Sequence, residues 1–563
     1  MKRAITLAIV MVLAFAFSAQ AVDIIVQGTI TSNTTWTSNN VYILRGGVFI
    51  GDDVNETILT IQPGTIIKGE TASGGFLCVR RNSKIMAVGN ANNPIVFTSD
   101  RPAGQQARGD WGGIVINGKS HVNLPGGVGQ GEGGTGEYGG GANPDTADNS
   151  GCLQYVRVEY AGYPITPEDE LNGIAFQGVG NGTTVDYVQV HMGGDDGIEM
   201  FGGSVNLKRC VVTGCLDDQF DWTFGWTGKA QFLICQQYND VADRGMECDN
   251  NSSNLTATPR SMPYIYNVTL VGNSNPVNNP IGMVLRAGTG LVLHNAIVTN
   301  FEDCAIDIDD STTAGASWNF GTSSLNGTLL VDHSIFFGNG EIAQTGDNES
   351  NFPFTSVQFA TTLNANNRTS DPLLVDPLNT GNPDFRPGTG SPALSGYVQP
   401  PAYDLFFETV SYVGAMGPNA ADRWTDGWTV WGGGGGISIP FFLDAGWNLI
   451  SLPVMPEDSL LSDLFPNATV AYGFDPAGGY YNATYLENGK AYWLNMPANE
   501  TVNVVGDGFA GYTAGVTPPW EMLGSIINPD IVPTATGGNI NVMYYFDPAS
   551  GYVASSDLDP GKG

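Results

Sequence analysis

Two families of short β-rich segments alternate along the central part of the chain, and this alternation restricts the fold more than any other feature. The first family lies at 185–190, 207–212, 230–235, 264–270, 291–298 and 329–336. The second family lies between them, at 197–200, 220–222, 245–248, 282–285 and 305–308. Because each repeat supplies at least two strands, successive repeats can stack as the coils of a parallel β-helix at ~4.8 Å spacing.

The predicted fold is therefore all-β, with a right-handed parallel β-helix (a solenoid) followed by a small tandem β-sandwich-like domain. Right-handedness follows because parallel crossover connections are nearly always right-handed. A propeller or a sandwich is the structural alternative for the long repeat region. We place the β-helix at 22–425 and a Trp/Gly-rich linker at 426–440.

Residues 441–563 form a tandem β repeat, because several short segments recur there. Trp447 and its neighbours are echoed at Trp520, and the Phe474 segment is echoed at Phe546. The two copies lie at about 441–512 and 513–563. The second copy stops where the first continues, so either its final strands are dispensable or it is truncated, and we favour truncation. Whether a C-terminal sorting or anchoring segment is missing is left open.

The N-terminus predicts export from the cell. Lys2 and Arg3 precede an apolar run at 4–17, and small residues close the segment at Ala21. We interpret residues 1–21 as a signal peptide, with an uncleaved anchor as the alternative. The predicted location is extracellular or at the cell surface, with the periplasm also possible.

Charge and cysteine usage exclude several classes of function. The chain has 22 Lys+Arg against 55 Asp+Glu, a net charge of −33, which disfavours nucleic acid and anionic membranes as partners. No later apolar run is long enough to span a bilayer. The 7 Cys show no C-x-x-C spacing and are expected to be mostly buried thiols, with their pairing left open. The 4 His show no metal-binding spacing.

Several segments resemble a known family. They are LTIQPGTIIKGE at 59–70, NPIVFTSDRPAG at 93–104, GDWGGIVINGK at 109–119, VDYVQVHMGGDDGIEMFGG at 185–203, DDQFDWTFGW at 217–226, and VGAMGPN with WTDGWT at 413–429. The chain from Leu59 to about Trp428 resembles secreted bacterial right-handed parallel β-helix proteins of the Bacteroidetes and Chlorobi type, which are largely uncharacterised. The resemblance implies this fold and secretion, and it supplies no catalytic residue. Residues 441–563 resemble GWNLISLP-type modules of secreted bacterial proteins.

One five-residue pattern, Asp-x-x-apolar-acid, recurs on the second strand family. Strand alternation predicts that the apolar residue faces the core and the final acid faces outward, in one column. The apolar positions are Ile198, Phe220, Met246 and Ile306. The leading and final acids of the four copies are Asp195 and Glu199, Asp217 and Asp221, Asp243 and Glu247, and Asp303 and Asp307.

Stacked carboxylates need a counter-charge. Two of them at ~4.8 Å repel by roughly 0.9 kcal/mol in water and by ~3.5 kcal/mol at an effective dielectric of 20. Ca²⁺ fits because it binds about six to eight oxygens of carboxylates and backbone carbonyls. We predict Ca²⁺ at these acids, with Asp196, Asp218 and Asp240 as further ligands. Protonation through raised pKa values is the alternative.

The coil at 282–288 interrupts the column, because Val284 stands where the acid would be. Arg286 lies two residues further on and faces the same way, between Asp249 and Asp309 of the adjoining coils. One interpretation is an ionic rung. The other is a base beside calcium-binding carboxylates, as in pectate-lyase-like enzymes, although the chain has no motif of those families.

Paired acids also suggest glycoside hydrolysis by two carboxyl groups. The doublet Asp195-Asp196 follows a glycine and resembles that of polygalacturonase-like hydrolases, but their His-Gly element is absent because Met192 follows His191. A turn or calcium role for the doublet is the favoured interpretation. If the protein is an enzyme, the catalytic candidates are Asp195, Asp196, Glu199, Asp221 and Arg286.

Aromatic residues offer a further possible ligand surface, because exposed rings stack on sugars. The candidates are Trp111, Trp222, Trp226, Trp318, Trp447, Trp493 and Trp520. Trp447 and Trp520 occupy equivalent repeat positions, which favours core packing for both. The glycine-rich stretch 126–141 resembles no phosphate loop and is predicted to be a flexible surface excursion.

These features predict a secreted or cell-surface β-helix with a non-catalytic structural, adhesive or glycan-binding role, stabilised by Ca²⁺. The partners would be polysaccharides or envelope components, and the oligomeric state is left open. The alternative is a calcium-dependent polysaccharide lyase or a glycoside hydrolase that uses the acidic face. Fold alone does not choose between them.

Overall fold

The computed structural model describes residues 22–508, apart from 103, 167–168, 241–242, 274–279, 345–348, 433–436, 457–458 and 476–477, and the strands Met543–Asp547 and Gly551–Ser555. The predicted signal peptide, residues 1–21, lies outside these residues, as does most of the second repeat copy. None of the helices in the described part of the chain could span a membrane.

The main body is a right-handed parallel β-helix, as the sequence predicts, and its coils present three faces. Each first-family segment bends in the middle at a residue with positive φ, such as Tyr187 (57°), Arg209 (48°) and Phe232 (61°). Non-glycine residues seldom adopt this conformation. The bend divides the predicted single strand between two faces, here called sheets 2 and 3, and the second family forms sheet 1.

Strand bounds follow this division. Sheet 1 contains Phe76–Val79, Ile114–Asn117, Ile174–Gln177, Ile198–Phe201, Phe220–Thr223, Arg244–Cys248, Ile281–Leu285 and Ile306–Ile308. The bent strands shared by sheets 2 and 3 are Gly151–Glu159, Thr184–His191, Asn206–Thr213, Lys229–Gln236, Tyr264–Val271 and Leu291–Thr299. Val22–Ile30 and Asn40–Ile50 run through sheets 3 and 1.

Shorter elements complete the coils. Sheet 2 also includes Thr34–Trp36, Ile58–Ile61, Lys84–Val88 and Leu329–Asp332, and sheet 3 includes Ile66–Gly69, Ile95–Ser99 and Ile335–Phe337. The antiparallel pairs outside the coils are Gly129–Gly131 with Gly136–Tyr138, Pro164–Thr166 with Asp169–Glu170, Trp318–Asn319 with Ser324–Leu325, and Leu374–Asp376 with Asp384–Pro387. Helical turns occur at Ser311–Ala316, Ser356–Gln358 and Phe359–Leu363.

One hydrophobic core fills the coils from end to end. The inward positions predicted from the acidic pattern, Ile198, Phe220, Met246 and Ile306, are at most 1% exposed. Phe354 and Phe359 join this core at its C-terminal end. The coils are stable together because each covers the apolar surface of the next.

Two groups of side chains join this interior. Trp111, Trp222 and Trp226 are buried, so the suggestion that they form an exposed sugar platform is wrong. All seven cysteines are free thiols, and Cys152 alone among them is partly exposed. Their burial agrees with the expectation from their spacing.

A strap, residues 398–432, lies along the outer surfaces of sheets 2 and 3. Three buried amide side chains bind it as a neighbouring strand would, each donating to a strap carbonyl and accepting from the N–H of the same residue. The pairs are Gln189 with Val430 (2.6 and 2.8 Å), Gln231 with Glu408 (2.8 and 2.7 Å), and Asn295 with Val398 (2.8 and 2.9 Å).

The C-terminal module is a separate set of antiparallel strands. One sheet orders Ile437–Leu443, Glu500–Gly508 and Val454–Met455, and the other orders Gly446–Ser451, Ala491–Met496, Val470–Asp475 and Gly479–Asn482. Phe441, Ile450, Tyr492 and Leu494 belong to their shared core. Two sheets over one core give the sandwich-like form that the sequence predicts.

Replacing Gln231 tests the role of the strap. Gln231→Leu would leave the N–H and the C=O of Glu408 without partners, at about 1–3 kcal/mol each. We expect lower stability in urea unfolding. The control is Gln154→Leu, because Gln154 occupies the same column without a described hydrogen bond to the strap, and it should change stability by less than about 1 kcal/mol. Equal effects of both substitutions would contradict the role given to the strap.

Because His191 is buried, we predict that the stability of the folded chain depends on pH. Burial, reinforced by the charges of Arg157 and Arg108, lowers the pKa of His191 to about 3. Its Nδ1 lies 2.8 Å from Oγ1 of Thr213. Below a pH of about 6.5 the unfolded chain binds a proton that the folded chain does not, so His191 should cost stability as the pH falls.

The measurement compares wild type with His191→Gln by urea unfolding at pH 7.5 and 5.0. The wild type should lose on the order of 2 kcal/mol more than the variant over this interval. Parallel pH profiles of the two proteins would show that His191 is not held neutral.

Candidate metal centre

The acidic pattern lies in one column on the outer surface of sheet 1. Glu199 pairs in register with Asp221, and Asp221 pairs with Glu247. The next coil places Val284 beside Glu247, and Asp307 follows Val284. The predicted order of the column is therefore correct, including its interruption.

Although these acids face away from the core, they are largely buried. Glu199 is 7% exposed and Asp221 is 8% exposed. The preceding coils continue the same column with Cys78, Val115 and Ala175. The acids thus follow directly on an apolar stretch of the same surface.

Side chains from outside the coil strands cover that apolar stretch. Tyr138 and Leu171 pack against Val115 and Ala175, and Tyr138 belongs to the hairpin Gly129–Gly131 with Gly136–Tyr138. The stretch 126–141, predicted to be a flexible excursion, is instead this hairpin packed on sheet 1. It covers the apolar residues that precede Glu199 in the column.

A second row of acids lies in the turn before sheet 1. Asp196 Oδ1 accepts a hydrogen bond of 2.9 Å from the backbone N–H of Asp218, and Asp218 Oδ1 accepts one of 2.9 Å from the N–H of Arg244. Each buried aspartate thus binds the backbone of the next coil. The preceding residues, Asp195 and Asp217, are more exposed.

Three groups of these acids bring carboxylate oxygens within 4.8 Å of one another. They are Asp195, Asp196 and Asp217; Asp196, Glu199 and Asp221; and Asp217, Asp218 and Asp243. Only the second group is wholly buried. We call Asp196, Glu199 and Asp221 the buried triad.

Two oxygens at the buried triad have no hydrogen-bond partner among the residues that the structure describes. They are Oδ1 of Asp221 and Oδ1 of Asn172. Asn172 is 2% exposed, and its Nδ2 donates to Oε2 of Glu199 at 2.6 Å. Hard oxygen donors of this kind, three carboxylates and one amide, suit Ca²⁺.

Burial and mutual repulsion raise the pKa of these carboxyl groups. Burial and the charge of Glu170 raise the pKa of Asp195 to about 8, and burial and Asp243 raise that of Asp217 to about 6. Desolvation followed by neighbouring acids raises the pKa values of Asp196, Glu199 and Asp221 well above their ordinary range. The folded chain therefore resists ionising this cluster without a cation.

Two arginines end the acidic run at the third coil. Arg244 pairs with Asp243 and, at 3.3 Å, with Glu247. Arg286 pairs with Glu247 at 2.5 Å and with Asp249 at 2.9 Å. Within the described residues, the acids of the two preceding coils form no ion pair with Lys or Arg; these acids are Asp195, Asp196, Glu199, Asp217, Asp218 and Asp221.

Other predicted ligands lie elsewhere. Asp240 pairs with Arg108 at 2.5 Å. The Val284 coil separates Asp303 and Asp307 from Glu247. Asp303 and Asp307 belong to none of the three groups described above.

Sequence reasoning missed two contributors to the site. Asn172 belongs to the coil before the first acidic motif, and no pattern marked it. Arg244 directly follows Asp243, as Asp196 follows Asp195 and Asp218 follows Asp217. Aligning these doublets would have shown an arginine replacing the second aspartate in the third coil.

No curated protein matches this chain. One similar solved structure is the catalytic domain of a GH87 alpha-1,3-glucanase with tetrasaccharides, at 10% identity and a TM-score of 0.26, covering 62% of this chain and 64% of that one. Another is that catalytic domain with nigerose, at 10% identity and a TM-score of 0.22, covering 59% and 62%. The chain thus spans less than two thirds of either domain.

A family comparison covers more than half of the chain. Residues 28–375 match the family described as pectate-lyase like beta helix domain. The matched region contains every strand of sheets 1 to 3 except the first part of Val22–Ile30, and it contains every acid of the candidate site. The chain therefore belongs to the pectate-lyase-like β-helix family.

Proposed function

We propose that this protein is a secreted, calcium-stabilised β-helix with a non-catalytic role outside the cell. The observation that carries the proposal is the unpartnered Oδ1 of Asp221 inside the buried triad. An ionised carboxylate oxygen that is buried and unpaired costs several kcal/mol, so a bound cation or a proton has to compensate it.

The donor set favours Ca²⁺ over a softer metal. All nearby donors are oxygens, from Asp196, Glu199, Asp221 and the amide of Asn172. Ca²⁺ supplies two positive charges and accepts irregular oxygen coordination. Asp196 and Glu199 come from one coil and Asp221 from the next, so the ion would tie consecutive coils together.

Burial argues against catalysis at the same acids. The members of the buried triad are at most 8% exposed, whereas a glycosidic bond has to lie between two carboxyl groups in order to be cleaved. An ion reaches such a position, but a sugar chain does not. The burial of these acids supports a structural or adhesive role for the acidic face.

Arg286 also fits the ionic-rung interpretation better than the role of a base. Burial lowers its pKa, but the charges of Glu247 and Asp249 outweigh burial and raise the pKa above its ordinary value. An arginine held protonated by two carboxylates is a poor proton acceptor. Asp195 and Asp196 likewise fit a turn or calcium role.

The enzyme alternative has a direct test. The purified protein is incubated with polygalacturonate and with neutral glucans, with and without EDTA, and released reducing ends and unsaturated products are measured. We expect no product in any mixture. Turnover that Asp221→Asn or Arg286→Gln abolishes would replace the non-catalytic proposal.

Calcium should change stability through the buried triad. At a free concentration about one hundred times the dissociation constant, bound Ca²⁺ stabilises the folded chain by about 2.7 kcal/mol. Asp221→Asn should abolish this gain. In EDTA at pH 7.5 the same variant should be at least as stable as wild type, because it removes a repelling charge.

The measurement is urea unfolding of both proteins, with calcium and with EDTA. Asp307→Asn is the matched control, since it changes a buried acid of the same column two coils beyond Glu247. It should keep the full calcium response. A wild-type protein indifferent to calcium, or a variant that keeps the response, would refute the site.

We predict that Arg286 and Glu247 contribute to stability in an energetically coupled way. Arg286→Gln leaves Glu247 and Asp249 with less counter-charge and should cost about 1–3 kcal/mol, since the arginine is only partly buried. Glu247→Gln should cost less in the Arg286→Gln background than in wild type. A double-mutant cycle measures this difference, and additive costs would show that the pair is not coupled.

A further inference from the structure

We propose that the outer face of the four-stranded sheet in the C-terminal module binds a neutral glycan chain. This site is independent of the acidic column and of calcium. It consists of the aromatic face, defined as the outward side chains of Trp447, Tyr472, Phe474, Tyr480 and Trp493.

Strand alternation separates this face from the core of the module. Ile450, Tyr492 and Leu494 turn inward and are at most 2% exposed. Trp447 is 45% exposed and Tyr480 is 60% exposed. The expectation that Trp447 packs in a core is therefore wrong, whereas Trp520 lies outside the described residues.

The rings form a row across all four strands. Tyr472 pairs in register with Trp493, and Phe474 pairs with Tyr480. The ring centroids of Trp447 and Tyr472 are 5.9 Å apart, and those of Phe474 and Tyr480 are 5.2 Å apart. At a strand spacing of ~4.8 Å the row is about 14 Å long, which suits an extended chain rather than a single small molecule.

The chemistry of the face fits a neutral polymer of hydroxylated rings. Asn482 pairs with Tyr472 and Asn495 pairs with Val470, so two amides lie on the same side of the sheet. Flat apolar rings with a few amide donors and acceptors offer stacking and directional hydrogen bonds together. In the four described strands, no Asp, Glu, Lys or Arg occupies an outward position of this face. The chain's net charge of −33 also repels polyanions.

The internal repeat gives independent support. The second copy has Trp520, Tyr544, Phe546 and Tyr552 at the positions of Trp447, Tyr472, Phe474 and Tyr480. Phe546 also pairs with Tyr552, as Phe474 does with Tyr480. Other positions of the repeat differ, for example Gly473 against Tyr545 and Tyr481 against Val553. The positions that carry exposed rings in the first copy thus keep aromatic residues in the second copy, which favours a shared ligand over shared packing.

Affinity electrophoresis of the full chain tests the proposal, in gels containing mixed-linkage β-glucan, amylopectin, xyloglucan or polygalacturonate. We expect at least one neutral polysaccharide to retard the wild type and polygalacturonate to leave it unretarded. Trp447→Ala and Tyr480→Ala should each weaken the retardation at least tenfold. Phe442→Ala is the matched control, because Phe442 is 78% exposed on the other sheet of the module.

Two further readouts make the result decisive. EDTA should leave the retardation unchanged, which separates this site from the calcium proposal. Trp447→Ala should have the same melting temperature as the wild type, because the ring of Trp447 is exposed rather than packed. Absence of retardation in every neutral gel, equal effects of Phe442→Ala and Trp447→Ala, or a lower melting temperature for Trp447→Ala alone would overturn the proposal.

Discussion

Parallel strands stacked in register at ~4.8 Å repeat the same side-chain position from coil to coil, and the other features of the protein depend on this constraint. Inward, it gives a continuous apolar core that includes Ile198, Phe220 and Met246. Outward, it places Glu199, Asp221 and Glu247 side by side. Each repeat of an apolar residue stabilises the coils, whereas each repeat of an acid adds repulsion.

The covering of the outer surfaces strengthens that repulsion. The strap binds sheets 2 and 3 through the amides of Gln189, Gln231 and Asn295. The hairpin that ends at Tyr138 packs on sheet 1 beside the acids. Carboxylates that are covered by protein interact in a lower effective dielectric than carboxylates in water. Their mutual repulsion is therefore stronger, and they need a counter-charge more. Arg244 and Arg286 supply the counter-charge at the third coil, and we propose that a cation supplies it at the first two.

The repeat order, the inward residues and the acidic column could be predicted because they follow from strand alternation alone. The bend between sheets 2 and 3 could not, since its positive-φ position holds Tyr187, Arg209 and Phe232 and carries no glycine signal. The cover by residues 126–141 was missed because a glycine-rich composition does not reveal what it packs against. Asn172 reaches Glu199 only through the stacking of a preceding coil, and that neighbour relation is not visible in local sequence.

Calcium binding at the buried triad can be tested with a pair of crystal structures, one from crystals grown with calcium and one from crystals soaked in EDTA. With calcium we expect a strong density peak coordinated by Asp196, Glu199 and Asp221, and in EDTA we expect this peak to be lost. Carboxyl groups hydrogen-bonded directly to one another in both crystals, with no ion between them, would contradict it.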